Sequence, residues 1–177
     1  DFHDATDYIQ RNAYLVEAVI DTVNARKALA GSTEKNVVLG MSMGGLVARY
    51  ALRDMEINNR THDTKLYISH DTPQQGANVP LAYQAMVRHL YGENISIPIL
   101  FSLIDFDIIS TNSLIPELSF GYDLLQSPAA QQMLIYQLQG SGNSVSIDNS
   151  TLHTSFSTEI ANMGYPSHFI YIYIYRW

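Results

Sequence analysis

From Asp7 to about Leu29 the apolar residues Ile9, Ala13, Val16, Ile20 and Val23 return at three- and four-residue steps, which puts them on one face of a helix. Asp7 stands at the N-cap position and Gly31 lies just past the end. Asn36 to Met41 breaks this period with a short, continuously apolar run, which predicts a strand covered on both faces. Leu46 to Met55 is helical again, with Arg49 and Arg53 expected on its wet side. A polar loop over Asn58 to Thr64 then leads into "KLYIS", a second apolar strand.

Strand, helix and strand at this spacing predict a βαβ unit with parallel strands. The expected class is α/β, a parallel sheet core with helices on both faces. The first helix would lie beside the same sheet, fed by a strand preceding Asp1, and both ends of the chain look cut. Pro80 opens a helix over Leu81 to Leu90. Residues 93–165 then read as a helical insertion within a single domain. In it "ISIPILFSLIDFDII" is strongly apolar, and "SPAAQQMLIYQLQ" is a helix with Ser127 as cap and Pro128 at its first position. "GSGNSVSIDNS" reads as a flexible polar loop, and "TSFSTEIANMG" as a short helix closed by Gly164. Finally Ile170, Ile172 and Ile174 alternate with Tyr171, Tyr173 and Tyr175, the period of a strand that must join a sheet edge.

Composition narrows the function classes. The 177 residues are 46% apolar, enough for an ordinary core in one domain. A formal net charge of -7 disfavours phosphate backbones, so nucleic acid is not an expected partner. No apolar segment is long enough to span a bilayer. The absence of cysteine removes disulfides and thiol nucleophiles, but it leaves the compartment open, a secreted location included. Oligomeric state is not legible either.

"GMSMG" sits where the first strand becomes a helix and matches G-x-S-x-G. A nucleophilic serine on so sharp a turn needs small neighbours, and Gly40 and Gly44, with Gly45 beyond, are expected to supply the room. The Ser42 oxygen would project above the carboxyl ends of the strands, with the Met43 N–H at the start of the helix as oxyanion donor. A structural or phosphate-binding turn is the alternative. The P-loop pattern requires Lys-Ser or Lys-Thr after its last glycine, and the dinucleotide pattern requires glycine where Ser42 stands.

"VVLGMSMGGLVARYAL" looks like the nucleophile turn and helix of lipase-like serine esterases of the α/β-hydrolase superfamily. "LYISHDTPQQGANVP" resembles their next strand and loop, of the form S/T-H-G-T-P-x-x-G. The likeness covers about Asp1 to Leu90. It implies a partial α/β-hydrolase fold, a lid-like role for 93–165 and a triad in the order Ser, acid, His. It also implies a small-molecule or lipid ester as substrate and no cofactor. Ser42 matches residue by residue; Asp71 stands where many such enzymes have glycine, and no early oxyanion loop has a counterpart.

The rest of the triad is read from the residues alone. A serine nucleophile needs a histidine at its oxygen and an acid to orient that histidine. Asp71 follows the second strand at the same edge as Ser42 and is the internal candidate acid, against a role capping the Thr72-Pro73 turn. His153 and His168 follow Ser42 in the required order as candidate bases, against ordinary surface or core histidines. His62 belongs to a loop at the opposite end of the sheet. No His pair has metal-binding helical spacing, so no metal is expected. Ile95 to Ile109 is read as core packing or an acyl-chain surface, and Asp105 and Asp107 as loop residues.

Overall fold

The computed structural model describes residues 5–91, 94–95, 109–110, 116–141, 144–148, 150–167 and 170–174. In chain order the elements are α1 (Ile9–Leu29), β1 (Asn36–Met41), α2 (Met43–Ile57), β2 (Thr64–His70) and α3 (Leu81–Leu90). The short strands β3 (Asn94–Ile95) and β4 (Ile109–Ser110) pair antiparallel, then come α4 (Pro116–Gln126) and α5 (Pro128–Met133). The chain continues through β5 (Gln137–Ser141), β6 (Ser144–Asp148), α6 (Thr151–Met163) and β7 (Ile170–Ile174).

The protein has an α/β architecture. A three-stranded sheet in the order β1-β2-β7 is parallel throughout, as the βαβ spacing predicts. The alternating Ile/Tyr strand joins its edge beside β2, so that Tyr171 packs on Tyr67 while the isoleucines face the other way. α1 and α2 lie against one face. There Ile20, Ala48, Leu52, Met55 and Tyr67 form one cluster, with Val16, Val38 and Tyr171 against it. A second cluster joins Ile9, Ala13, Leu46, Val47, Tyr50 and Ala51 to Phe156 and Ile160 of α6.

The opposite face corrects the expectation of helices on both sides. Val37, Leu39, Met41, Ile170, Ile172 and Ile174 are all exposed there, because no described element lies over them. The apolar run in β1 therefore has one face covered by α2 and one face bare among the described residues.

Three local expectations also change. The N-cap of α1 is Tyr8, while the Asp7 carboxylate accepts from the Tyr8 N–H at 2.8 Å and pairs with Arg11 at 3.0 Å. Ser127 does cap α5, accepting from the Ala130 N–H, but the helix stops at Met133. The chain then pairs Gln137–Ser141 with Ser144–Asp148 as an antiparallel hairpin in place of a helix tail and a flexible loop. Only two residues separate these strands, and so short a separation fixes the register that the helical reading missed. Residues 93–165 are thus a mixture of helices and hairpins, and α6 within them is part of the central core. The apolar run 96–108, with Asp105 and Asp107, lies outside the described residues, as does His168.

Candidate active site

β1 ends at Met41 and α2 starts at Met43, so the turn between them is made by Ser42 alone. Its backbone is at φ 49°, ψ -129°, outside the left-handed well that L-residues occasionally occupy. Such a conformation persists only where its surroundings fix it. The Ser42 N–H donates to the His70 carbonyl at 2.9 Å, and the Gly45 N–H returns to the Ser42 carbonyl at 3.0 Å. The Ser42 hydroxyl makes no capping hydrogen bond, and the residue is exposed.

Two glycines let the helix come this close. A Cβ on Gly40 would stand 2.5 Å from the Gly44 carbonyl oxygen and 2.5 Å from the Gly45 Cα, both backbone atoms. A Cβ on Gly45 would stand 2.7 Å from the Thr72 methyl and 2.8 Å from its Cβ. Gly44 has open space around it, contrary to the expectation that it supplies room. The close-packed pair is therefore Gly40 and Gly45, because consecutive helix positions point about 100° apart, which turns position 44 outward and position 45 onto the loop after β2.

A chain of hydrogen bonds braces the turn from below. The Tyr67 hydroxyl donates to the Gly45 carbonyl at 2.5 Å. Gln74 Nε2 donates to Ser69 Oγ at 2.9 Å and to the Tyr67 hydroxyl at 3.4 Å, while its Oε1 accepts from Arg49 Nη1 at 3.1 Å. Burial raises the Tyr67 hydroxyl's pKa, so it stays a donor.

Arg49 is buried at 3% exposure, not on the wet side of α2. Its Nη2 donates to the Ile160 carbonyl at 3.0 Å and the Gly164 carbonyl at 3.1 Å, and its Nε to Gly164 at 3.3 Å. The Tyr165 ring lies 3.6 Å from the guanidinium carbon. Helical periodicity alone could not place Arg49, because Ile160, Gly164 and Tyr165 reach it from more than a hundred positions later in the chain.

The predicted residues divide. Asp71 begins the loop after β2 and its N–H donates to the Ile174 carbonyl at 2.7 Å. Ser42 and Asp71 thus stand on neighbouring strand ends, both at φ 49° and both exposed. The Asp71 carboxylate accepts no hydrogen bond from the Thr72-Pro73 turn, whose own bonds run from Gln74 to Thr72 and from Gly76 to Pro73. The Met43 N–H opens α2 and has no acceptor one turn earlier in the helix, which leaves it aimed outward at the turn. His70 lies at the end of β2 beside Met41, and its Nδ1 is buried without a partner among the described residues.

His153 is on the first turn of α6, and its Nδ1 contacts the Gln132 carbonyl at 2.9 Å. A carbonyl only accepts, so Nδ1 is the donor in this contact. His153 borders a cavity of about 430 Å³ with Leu46, Met133, Phe156, Ile160 and Arg49. Neither Ser42 nor Asp71 lines it, and no hydrogen bond joins Ser42, Asp71 and His153 among the described residues.

No group of three or more His, Asp or Glu among the described residues is placed to hold a metal ion, and no described helix is long and apolar enough to cross a membrane. Tyr67, Thr72, Gln74 and Arg49 are the supporting residues that sequence reasoning missed. "TPQQG" held the signal for two of them, since a buried hydroxyl and a half-buried amide after a strand need partners. Comparison of the chain with protein-family models, curated proteins and solved structures finds no match.

Proposed function

We propose that the chain is the serine-bearing part of a lipase-like carboxylic ester hydrolase of the α/β-hydrolase type, acting through Ser42. The observation that carries this reading is the strained Ser42 backbone at φ 49°, ψ -129°, held between a parallel strand and a helix with the hydroxyl exposed and unused. Strain of this kind costs about 1–3 kcal/mol, and a structural turn has no need of it when glycine adopts the same conformation freely. The P-loop and dinucleotide alternatives lack their required residues.

In the proposed reaction the Ser42 oxygen attacks the ester carbonyl carbon while a base takes its proton. The Met43 N–H and the positive end of α2 stabilise the oxyanion. The carbonyl reforms, the alcohol leaves with the proton, and an acyl-serine remains. Water activated by the same base then attacks that acyl group, giving the acid and free Ser42. His153 and His168 are the candidate bases and Asp71 the candidate acid; no cofactor takes part. The substrate is a small-molecule or lipid ester, and transfer of the acyl group to another alcohol uses the same serine. In this reading the lid-like role expected of residues 93–165 is left to those outside α6, which packs in the core.

A second reading, a catalytically silent domain, draws on the His153 geometry. Its Nδ1 is engaged by a backbone carbonyl and its cavity excludes Ser42. Stopped-flow hydrolysis of p-nitrophenyl butyrate separates the two. The hydrolase reading predicts a nitrophenolate burst equivalent to the folded protein and absent from Ser42→Ala. Equal release from both proteins supports the silent domain.

A further inference from the structure

The cavity bordered by Tyr165 holds a cation with no counter-charge among the described residues. Arg49 is buried, yet all its hydrogen bonds go to neutral acceptors: the carbonyls of Ile160 and Gly164 and the amide oxygen of Gln74. No carboxylate pairs with it among the described residues. Burial lowers its pKa, the mark of a desolvation cost that no anion offsets. Guanidinium has five N–H donors, and these bonds account for Nε–H, both N–H groups of Nη2 and one of Nη1. One Nη1 N–H is left.

The surrounding wall is mainly apolar. Leu46, Met133, Phe156 and Ile160 border the space, and its volume of about 430 Å³ lies in the range of small-molecule sites. We propose that this cavity binds a monocarboxylate with an apolar body, the carboxylate meeting Arg49 and the body packing against Phe156, Ile160 and Leu46. A phosphate dianion is a poorer fit, because it demands more donors than the single N–H that remains. A neutral alcohol fills the apolar space but leaves the cation uncompensated. Neither step depends on Ser42 as a nucleophile.

The test is an NMR titration of the full chain with sodium octanoate, following the Arg49 Nε–H resonance, with octanol as neutral control. The charged hydrogen bond predicts saturable one-site binding of octanoate and binding of octanol about tenfold weaker. Ser157 also borders the cavity, and Ser157→Phe fills part of it, so octanoate affinity falls by about tenfold or more in that variant. Octanol binding as tightly as octanoate overturns the proposal, as does the absence of a saturable shift at Arg49. The two-ligand comparison uses the unmutated protein and stands whether or not Ser157→Phe folds. An unchanged affinity in folded Ser157→Phe places the ligand elsewhere and also overturns it.

Discussion

At the amino end of the sheet, Lys27 of α1 reaches Asp63 at 2.5 Å and Asn36 Oδ1 at 3.0 Å, and Asn36 donates in turn to Asn24 Oδ1 and the His62 carbonyl. Arg60 in the adjoining loop pairs with Glu17 and Asp21 of the same helix. At the carboxyl end, the Ser42 hydroxyl and the Asp71 carboxylate make no such bonds, and His70 Nδ1 has no partner among the described residues. Positive φ occurs at both ends, but at the amino end it falls on Asn59 and Asp63, residue types that tolerate the left-handed region. At the carboxyl end it falls on Asp71, again a tolerant residue type, and on a serine at ψ -129°.

One end is a network of ion pairs and hydrogen bonds that ties α1 to the sheet, although Glu17 Oε1 is buried without a partner among the described residues; the other stores strain and leaves the Ser42 and Asp71 side chains uncommitted. That asymmetry has a physical reason. Ligands of open α/β sheets bind outside the carboxyl ends of the strands, where helix N-termini also point, so residues there are freed for binding at some cost in stability. The difference can be broken or sharpened by substitution.

The largest effect is expected at Gly40. Alanine there drives a methyl into the backbone of Gly44 and Gly45 and should cost about 3 kcal/mol in urea denaturation. Gly44→Ala, one turn away in open space, should stabilise α2 by up to about 1 kcal/mol. Equal effects at the two glycines would remove the steric basis of the turn. At the other end, Lys27→Met leaves Asp63 without its cation and should cost about 1–2 kcal/mol, with Ser42 reactivity unchanged. Loss of reactivity in that folded variant would show that the ends are coupled.

Ser42→Gly should raise stability by about 1 kcal/mol, since glycine adopts this backbone without strain. Ser42→Ala retains the strain and should not. A smaller, pH-dependent effect is expected at Glu17, whose carboxyl pKa burial raises above its ordinary 4.5, against the opposing pull of Arg60. The native state then holds the proton longer than the unfolded state, so this group's contribution to stability falls as pH rises from 4.5 through the raised value. Glu17→Gln lacks that slope. Denaturation midpoints measured from acid to neutral pH should move in favour of the glutamine variant and then level off.

Much of this was legible in the residues. The 3.6-residue period located α1, α2 and α3, the two-residue period located β7, and Ser127, Pro128 and Gly164 marked helix ends as their chemistry requires. The strand-serine-helix junction was legible because Gly-rich punctuation between two apolar runs has few physical solutions. What escaped depends on contacts across the chain. Arg49 has a polar side chain at a polar-looking position, and only the late segment carrying Ile160, Gly164 and Tyr165 turns it into a buried group. Gly45 outranks Gly44 because Thr72 arrives from the loop after β2. "YQLQGSGNSVSID" is made largely of weak strand formers, and its pairing is set by register more than by propensity.

The central claim is that Ser42 is an activated nucleophile. Incubating the folded chain with a fluorophosphonate and mapping the adduct by peptide mass spectrometry tests it most directly. The account predicts one modified serine, Ser42, with no adduct in Ser42→Ala. A folded chain that remains unlabelled, or equal labelling of the alanine variant, would contradict it.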